Sequence, residues 1–299
     1  MVEFLPITTS DSYMKTIKYL LFSIFLLGTT AAQAQTIWNN QLNTEQSTVS
    51  AEWVKPSFDD WVRNGQDITF FSSVLFLQGY FPAGNGFSFS TDVPLSHWGS
   101  IDDDGFGTED PHTTIGNIYI GGSYQFSKMA NGRLSPSIEL GTRLPTMPDP
   151  DFPDKRGFIT GFYSSFDRLE AFTPNLLPII GLISTDFQLN TATTLSVSGG
   201  ASYWTKGELL NEPNQLFLTQ RVMLLFNTPE IGGRLGVSGK YNVAPKDALL
   251  SELDITQLWA GVDKTISNNW TVEAYIRAPL TESNLHRAFG IKVDFTINP

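Results

Sequence analysis

The side chains best suited to covalent or metal chemistry are few: three histidines, His97, His112 and His286, and no cysteine. A hydrolase would need one of these imidazoles beside a serine and held by a third group. Neither a G-x-S-x-G nucleophile elbow nor an H-E-x-x-H zinc helix occurs in the chain. His97 stands beside Trp98 near the end of an alternating run, His112 lies in a loop-like segment, and His286 begins the last run. Each reads as an interface or interior residue, so no catalytic residue is assigned and a hydrolase at the rim of the fold is the least favoured reading. Two acidic segments, DDDGFGTED at 102–110 and DPDFPD at 149–154, offer the oxygen ligands that a divalent cation takes. Their spacing does not fit a calcium loop, so they read as solvated acidic loops and no metal is assigned. There is no phosphate-binding glycine loop or cofactor fingerprint, so no cofactor is expected.

The remaining charged residues obey a rule of position. Between 268 and 280, Trp270, Val272, Ala274, Ile276, Ala278 and Leu280 share one parity; Asn269, Thr271, Glu273, Tyr275 and Arg277 share the other. From 285 to 297, Phe289, Ile291, Val293, Phe295 and Ile297 oppose His286, Gly290, Lys292, Asp294 and Thr296. The same split sets Leu235, Val237, Tyr241 and Val243 against Arg234, Ser238, Lys240 and Asn242, and Ile118, Ile120, Tyr124 and Phe126 against Asn117, Tyr119, Ser123 and Gln125. Side chains alternate between the faces of a strand, so each segment has an apolar and a polar face. Carried along the chain, this parity puts Asp92, Glu139, Asp186, Asp263, Glu273 and Asp294 on the polar face with Arg143, Arg221, Arg234, Lys240, Arg277 and Lys292. Six charges of each sign make a balanced lining, suited either to filling a narrow interior with ion pairs or to forming a polar pathway for small solutes. A tight turn after Leu280 pairs it with Leu285 and sets Glu273 directly across from Lys292, a pairing that stabilises adjacent strands by a few tenths to ~1 kcal/mol.

What must position these residues follows from the N-terminus and from the length of the segments. Met14-Lys15-Thr16-Ile17-Lys18 is basic, Tyr19 to Gly28 is apolar, and Ala32-Gln33-Ala34 is a small-x-small cleavage site, so residues 1–34 read as an N-terminal extension and a secretory signal, with Met14 as a candidate initiator. The apolar run is about half the roughly 20 residues a membrane helix needs. Residues 35–299 then form one domain, and no other segment approaches a transmembrane helix in length. Only helices and closed barrels satisfy the backbone in a bilayer, so a membrane protein with this pattern must be a β-barrel. A soluble sandwich, which would bury its apolar faces and wet its polar ones, is the rival fold. The net charge of -11 belongs to the chain after the signal and disfavours nucleic acid as a partner.

The pattern predicts a single antiparallel transmembrane barrel of twelve strands, with ten to fourteen as the range: 47–58, 66–81, 86–99, 114–127, 134–145, 178–190, 192–204, 215–227, 231–244, 254–266, 268–280 and 285–297. Barrels of this class alternate short periplasmic turns with longer exterior loops. Connections at 82–85, 128–133, 191, 228–230 and 267 are short and those at 100–113, 146–177, 205–214 and 245–253 longer, with a short last hairpin at 281–284 as the exception. The stretch 158–170 is strand-like, but counting it would break this alternation, so it falls within a loop excursion at 146–177 of a length that is usually functional. Residues 68–81 are apolar on both faces, and Pro56 interrupts the first strand.

The segments TTIGNIYIGGSYQF at 113–126, SIELGTRLPT at 137–146 and FSTDVPLSHWG at 89–99 resemble strand motifs of outer-membrane transporter barrels, among them the fatty-acid-transporter-like and phenol-degradation-associated families. The likeness covers about a quarter of the chain after the signal. It implies an outer-membrane barrel of a Gram-negative cell, a channel or transporter for small, hydrophobic solutes. It also implies outer-membrane lipid and the barrel-assembly machinery as partners. Members of such families commonly end on an aromatic residue, whereas here Phe295 is followed by Thr296-Ile297-Asn298-Pro299. The alternative function is a closed structural or binding barrel that uses its acidic loops.

Overall fold

The computed structural model describes residues 46–56, 72–98, 112–148, 160–161, 164–205, 215–228, 231–243, 255–280 and 287–297. The signal segment 1–34, both acidic loops, His286 and residues 66–71 of the expected second strand lie outside them.

Alternation over ten residues or more leaves a strand with one apolar face to bury in lipid and a backbone to satisfy, and pairing every strand on both sides achieves both. The described strands are β1 (Ser47–Pro56), β2 (Ser73–Gly84), β3 (Phe87–Trp98), β4 (His112–Ile115), β5 (Ile118–Gln125), β6 (Leu134–Leu144), β7 (Pro178–Gln188), β8 (Thr193–Trp204), β9 (Gln215–Asn227), β10 (Gly232–Asn242), β11 (Ile255–Ser267), β12 (Trp270–Pro279) and β13 (Ala288–Ile297). Neighbours in sequence pair antiparallel, β13 returns to β1, and β4 and β5 share β3 as one interrupted strand, so the sheet closes as a twelve-stranded barrel. At ~3.3 Å per residue and a tilt of ~40°, strands of 10 to 13 residues span about 25–33 Å, the height of a membrane barrel's apolar band.

The faces follow the parity. Ile276 is 56% exposed and its neighbours Tyr275 and Arg277 are 3% exposed, because one faces outward and the others face the lumen. Leu140, Ile179, Ile183, Leu235 and Val262 form part of the same exposed apolar exterior. Aromatic rings gather on it near the short-turn end, where Trp270 meets Phe295 at 4.8 Å and Phe87 meets Tyr124 at 4.7 Å, as in the girdles of membrane barrels. Glu273 does pair with Lys292 across β12 and β13.

Two turns depart from the expected bounds. β2 runs on to Gly84, and Asn85-Gly86, both at positive φ, close a tight hairpin into β3, as Asn-Gly does where two left-handed residues are needed. The last connection is longer than expected, since β12 ends at Pro279 and β13 begins at Ala288, so it joins the long-loop end without exception. The strand expected at 114–127 is broken by a bulge. Leu95 pairs with Ile115 and Asp92 with Tyr119, leaving one extra residue on the far strand at Gly116-Asn117. Pro94 stands opposite; it has no N–H to donate, while its carbonyl accepts from Gly116 N at 2.8 Å.

Candidate functional site

The 146–177 connection does not simply project outward from the long-loop end. Its 3-10 turn, Phe166–Phe172, sits inside the barrel, with Arg168, Leu169, Glu170, Ala171 and Phe172 all buried. The bulge is its seat. Asn117 N donates to Ala171 O at 2.6 Å, and Asn117 Nδ2 donates to the carbonyls of Glu170 at 2.9 Å and Thr173 at 2.6 Å. Asn117 Oδ1 accepts from Met147 N at 3.1 Å, and Arg143, itself ion-paired with Asp92, donates to Asn117 O at 2.8 Å. This irregular point in the wall thus supplies the polar groups that a loop inside a barrel needs.

Three ion pairs tie the plug to the wall. Arg168 bonds Glu52 at 2.6 Å, Asp167 bonds Arg277 at 2.5 Å, and Glu170 bonds Lys240 at 2.5 Å. Glu52 also accepts from Gln78 at 3.1 Å and from the Tyr275 hydroxyl. Apolar packing completes the dock: Phe172 and Ala171 meet Val54, Val74, Phe76 and Met147. Each wall or plug cation also lies over a ring, Arg168 over Phe76 at 4.1 Å and Arg277 over Trp259 at 4.9 Å. Burial alone would raise the Glu170 carboxyl above its ordinary 4.5, but the Lys240 charge and hydrogen bond outweigh it and hold the group lower. A carboxyl held low contributes to docking above its ordinary range and loses that contribution only as pH falls beneath it, so acidification to about pH 5–6 should leave this latch closed.

The twelve residues expected to line the lumen divide by position. Asp92, Arg143, Lys240 and Arg277 hold the plug or its seat. Glu139 is buried between the Tyr119 hydroxyl and Ser90, and Asp186 and Arg221 are buried in the wall. Arg234, Asp263, Glu273 and Asp294 line a cavity of about 340 Å³ at the short-turn end. There Arg234 pairs with Glu273, and Lys292 bonds Asp294 at 2.8 Å. Glu273, which faces Lys292 in register, thus has Arg234 as its closest ion-pair partner. His97 bonds Thr113 at 2.9 Å, across the β3–β4 pairing. The strand reading passed over Glu52, Asp167, Arg168 and Glu170. A buried Glu52 in an alternating β1, and a second strand apolar on both faces, were the available signals.

No protein-family model matches the chain, and no curated protein matches it in sequence. Solved structures do match in fold. An outer-membrane channel from Pseudomonas putida F1 superposes with a TM-score of 0.60 at 8% identity, covering 88% of this chain and 100% of that one. The KdgM porin, in complex with disordered oligogalacturonate, gives 0.50 at 6% identity, covering 84% of this chain and 99% of that one. At such identities the likeness is one of fold.

The seat makes a sharp demand at Gly116. A Cβ there would lie 2.3 Å from Ala171 O and 2.9 Å from both Phe172 and Pro94. Gly116→Val should therefore expel the 166–173 segment while the strands stay paired. Hydrogen exchange should show lost protection at Ala171 to Thr173 and unchanged protection in β7 to β9. Retained protection at 171–173 would remove the bulge as the seat.

Proposed function

We propose that this chain is an outer-membrane channel for small solutes, in which the 166–172 turn is a plug that undocks to open a polar pathway. The observation that carries this reading is the character of the plug's contacts. It is held by three ion pairs and a set of hydrogen bonds to one wall irregularity. A buried ion pair is a weak net stabiliser, since desolvation offsets most of the attraction. When the plug leaves, water entering the lumen rehydrates both partners, so the open state is far less costly than opening a dry core. The exposed apolar exterior and the aromatic girdle suit outer-membrane lipid, the signal-like N-terminus suits export, and insertion by the barrel-assembly machinery follows from the same reading. The vestibule of about 340 Å³ gives a small solute room to approach the plug from the short-turn side.

The second reading, a closed structural or binding barrel, draws on the same plug, because side chains and plug together fill the interior at its level. Single-channel recording separates the two. The unchanged protein should show brief, rare openings in potassium chloride, and a variant with residues 158–173 replaced by a short Gly-Ser linker should show long, large ones. A linker variant that assembles and does not conduct would leave the closed barrel as the better reading.

A further inference from the structure

The plug presents its two carboxylates to two wall cations that have the same design. Arg277 lies over Trp259 at 4.9 Å and Tyr275 at 5.6 Å, and receives Asp167. Lys240 lies 5.6 Å from the ring of Trp204 and 5.5 Å from that of Phe217, and receives Glu170. Each cradle is more than a filled ion pair. Trp204 Nε1 donates to the same Glu170 oxygen at 3.2 Å, so a carboxylate there meets a cation and a second donor. Arg277 Nε is buried with no hydrogen-bond partner among the described residues, although Arg277 Nη1 is bound to Asp167 and Nη2 to Ser164 O. A guanidinium with an unused donor is incompletely served by the plug, and a better-placed planar carboxylate could engage it bidentately. Between the cradles, next to Asp167 and Lys240, lies a gap of about 10 Å³, room for about one water.

A cation backed by aromatic rings in a desolvated pocket selects a negative head joined to a flat or apolar body. We infer that the Arg277 and Lys240 cradles bind the carboxylate of small aromatic organic acids, and that Asp167 and Glu170 occupy them as internal stand-ins while the plug is docked. Access to the cradles rests on the undocking plug of the proposed function; conduction is a further step that binding does not require. An acid entering the lumen competes with the plug for its own cations, so the solute carried is the solute that favours opening.

The full-length protein in detergent, carrying Asp167→Asn and Glu170→Gln, tests this with sodium benzoate, benzylamine and benzyl alcohol as probes in titration calorimetry. Removing the two competing carboxylates should tighten benzoate binding by about tenfold or more relative to the unchanged protein. Benzylamine and benzyl alcohol should gain nothing. Adding Arg277→Gln and Lys240→Gln should abolish benzoate binding. If the double variant does not assemble, Asp167→Asn and Glu170→Gln singly each release one cradle and should each show part of the gain. Equal binding of benzoate and benzylamine, or benzoate binding that survives loss of both cations, overturns the inference. Potassium chloride conductance of the same variants reads the channel separately. Conduction without benzoate preference keeps the channel and sinks the cradles, and benzoate binding without conduction does the reverse.

Discussion

Glu52→Leu is expected to release the plug. This carboxylate is the shared acceptor for Arg168, Gln78 and the Tyr275 hydroxyl, and both it and Arg168 are almost fully buried. Removing one partner of a buried ion pair strands the other charge, at a cost of ~3–5 kcal/mol. Undocking lets Arg168 reach water, so the destabilisation falls on the docked state and shifts the equilibrium by roughly a hundredfold or more. The barrel ladder does not depend on this contact, since β1 remains paired with β13 and β2 along its length. Hydrogen exchange at Leu169 to Thr173 should rise steeply while β1 amides stay protected, and channel openings should lengthen. Arg168→Met in the Glu52→Leu background should recover much of the docking, because an apolar pair of similar volume beside Val54, Val74 and Phe76 avoids stranding either charge. A double variant as open as the single one would mean that the ion pair is not the latch.

The barrel was legible because the period of a strand and the chemistry of its two environments are both simple. In β12 and β13 every second residue is apolar, lipid accepts only that parity, and the parity carries Glu273 opposite Lys292 although the connection between the two strands is longer than a tight turn. The plug was not legible for the same reason. A 3-10 turn of seven residues has no sustained period, and its charges face partners more than sixty residues away, as Asp167 does with Arg277 and Glu170 with Lys240. Its traces were exceptions to the barrel pattern. Residues 68–81 are apolar on both faces because Val74 and Phe76 point inward and still meet an apolar surface, which Ala171 and Phe172 provide. The stretch 158–170 looks strand-like because Phe, Leu and polar residues alternate in it, yet its described residues Arg168, Leu169 and Glu170 are buried within the lumen rather than facing lipid. The interruption at Gly116-Asn117 has no sequence signal beyond a Pro94 that fits poorly in the middle of a strand.

The adjacent residues Ile276 and Arg277 should separate insertion from gating within one strand. Ile276 is exposed on the apolar exterior and pairs in register with Ala260 and Phe289 of the neighbouring strands. An arginine on the lipid face near the bilayer midplane costs ~2–4 kcal/mol, falling towards zero at the interfaces. Ile276→Arg should therefore lower the yield of folded barrel, measured as the heat-modifiable fraction after refolding into vesicles. Arg277, one residue on, never meets lipid. Arg277→Gln removes the cation under Asp167 and the donor to Ser164 O, so assembly should be close to normal and the plug should undock more often. Opening the lumen with one positive charge fewer should also move its selectivity towards cations. Two outcomes would sink this assignment: a folding defect as severe in Arg277→Gln as in Ile276→Arg, or an Arg277→Gln barrel whose plug amides remain protected. The first would mean that the plug's latch is part of the barrel's own stability. The second would mean that Arg277 fills the lumen without restraining anything, which the 2.5 Å contact to Asp167 argues against.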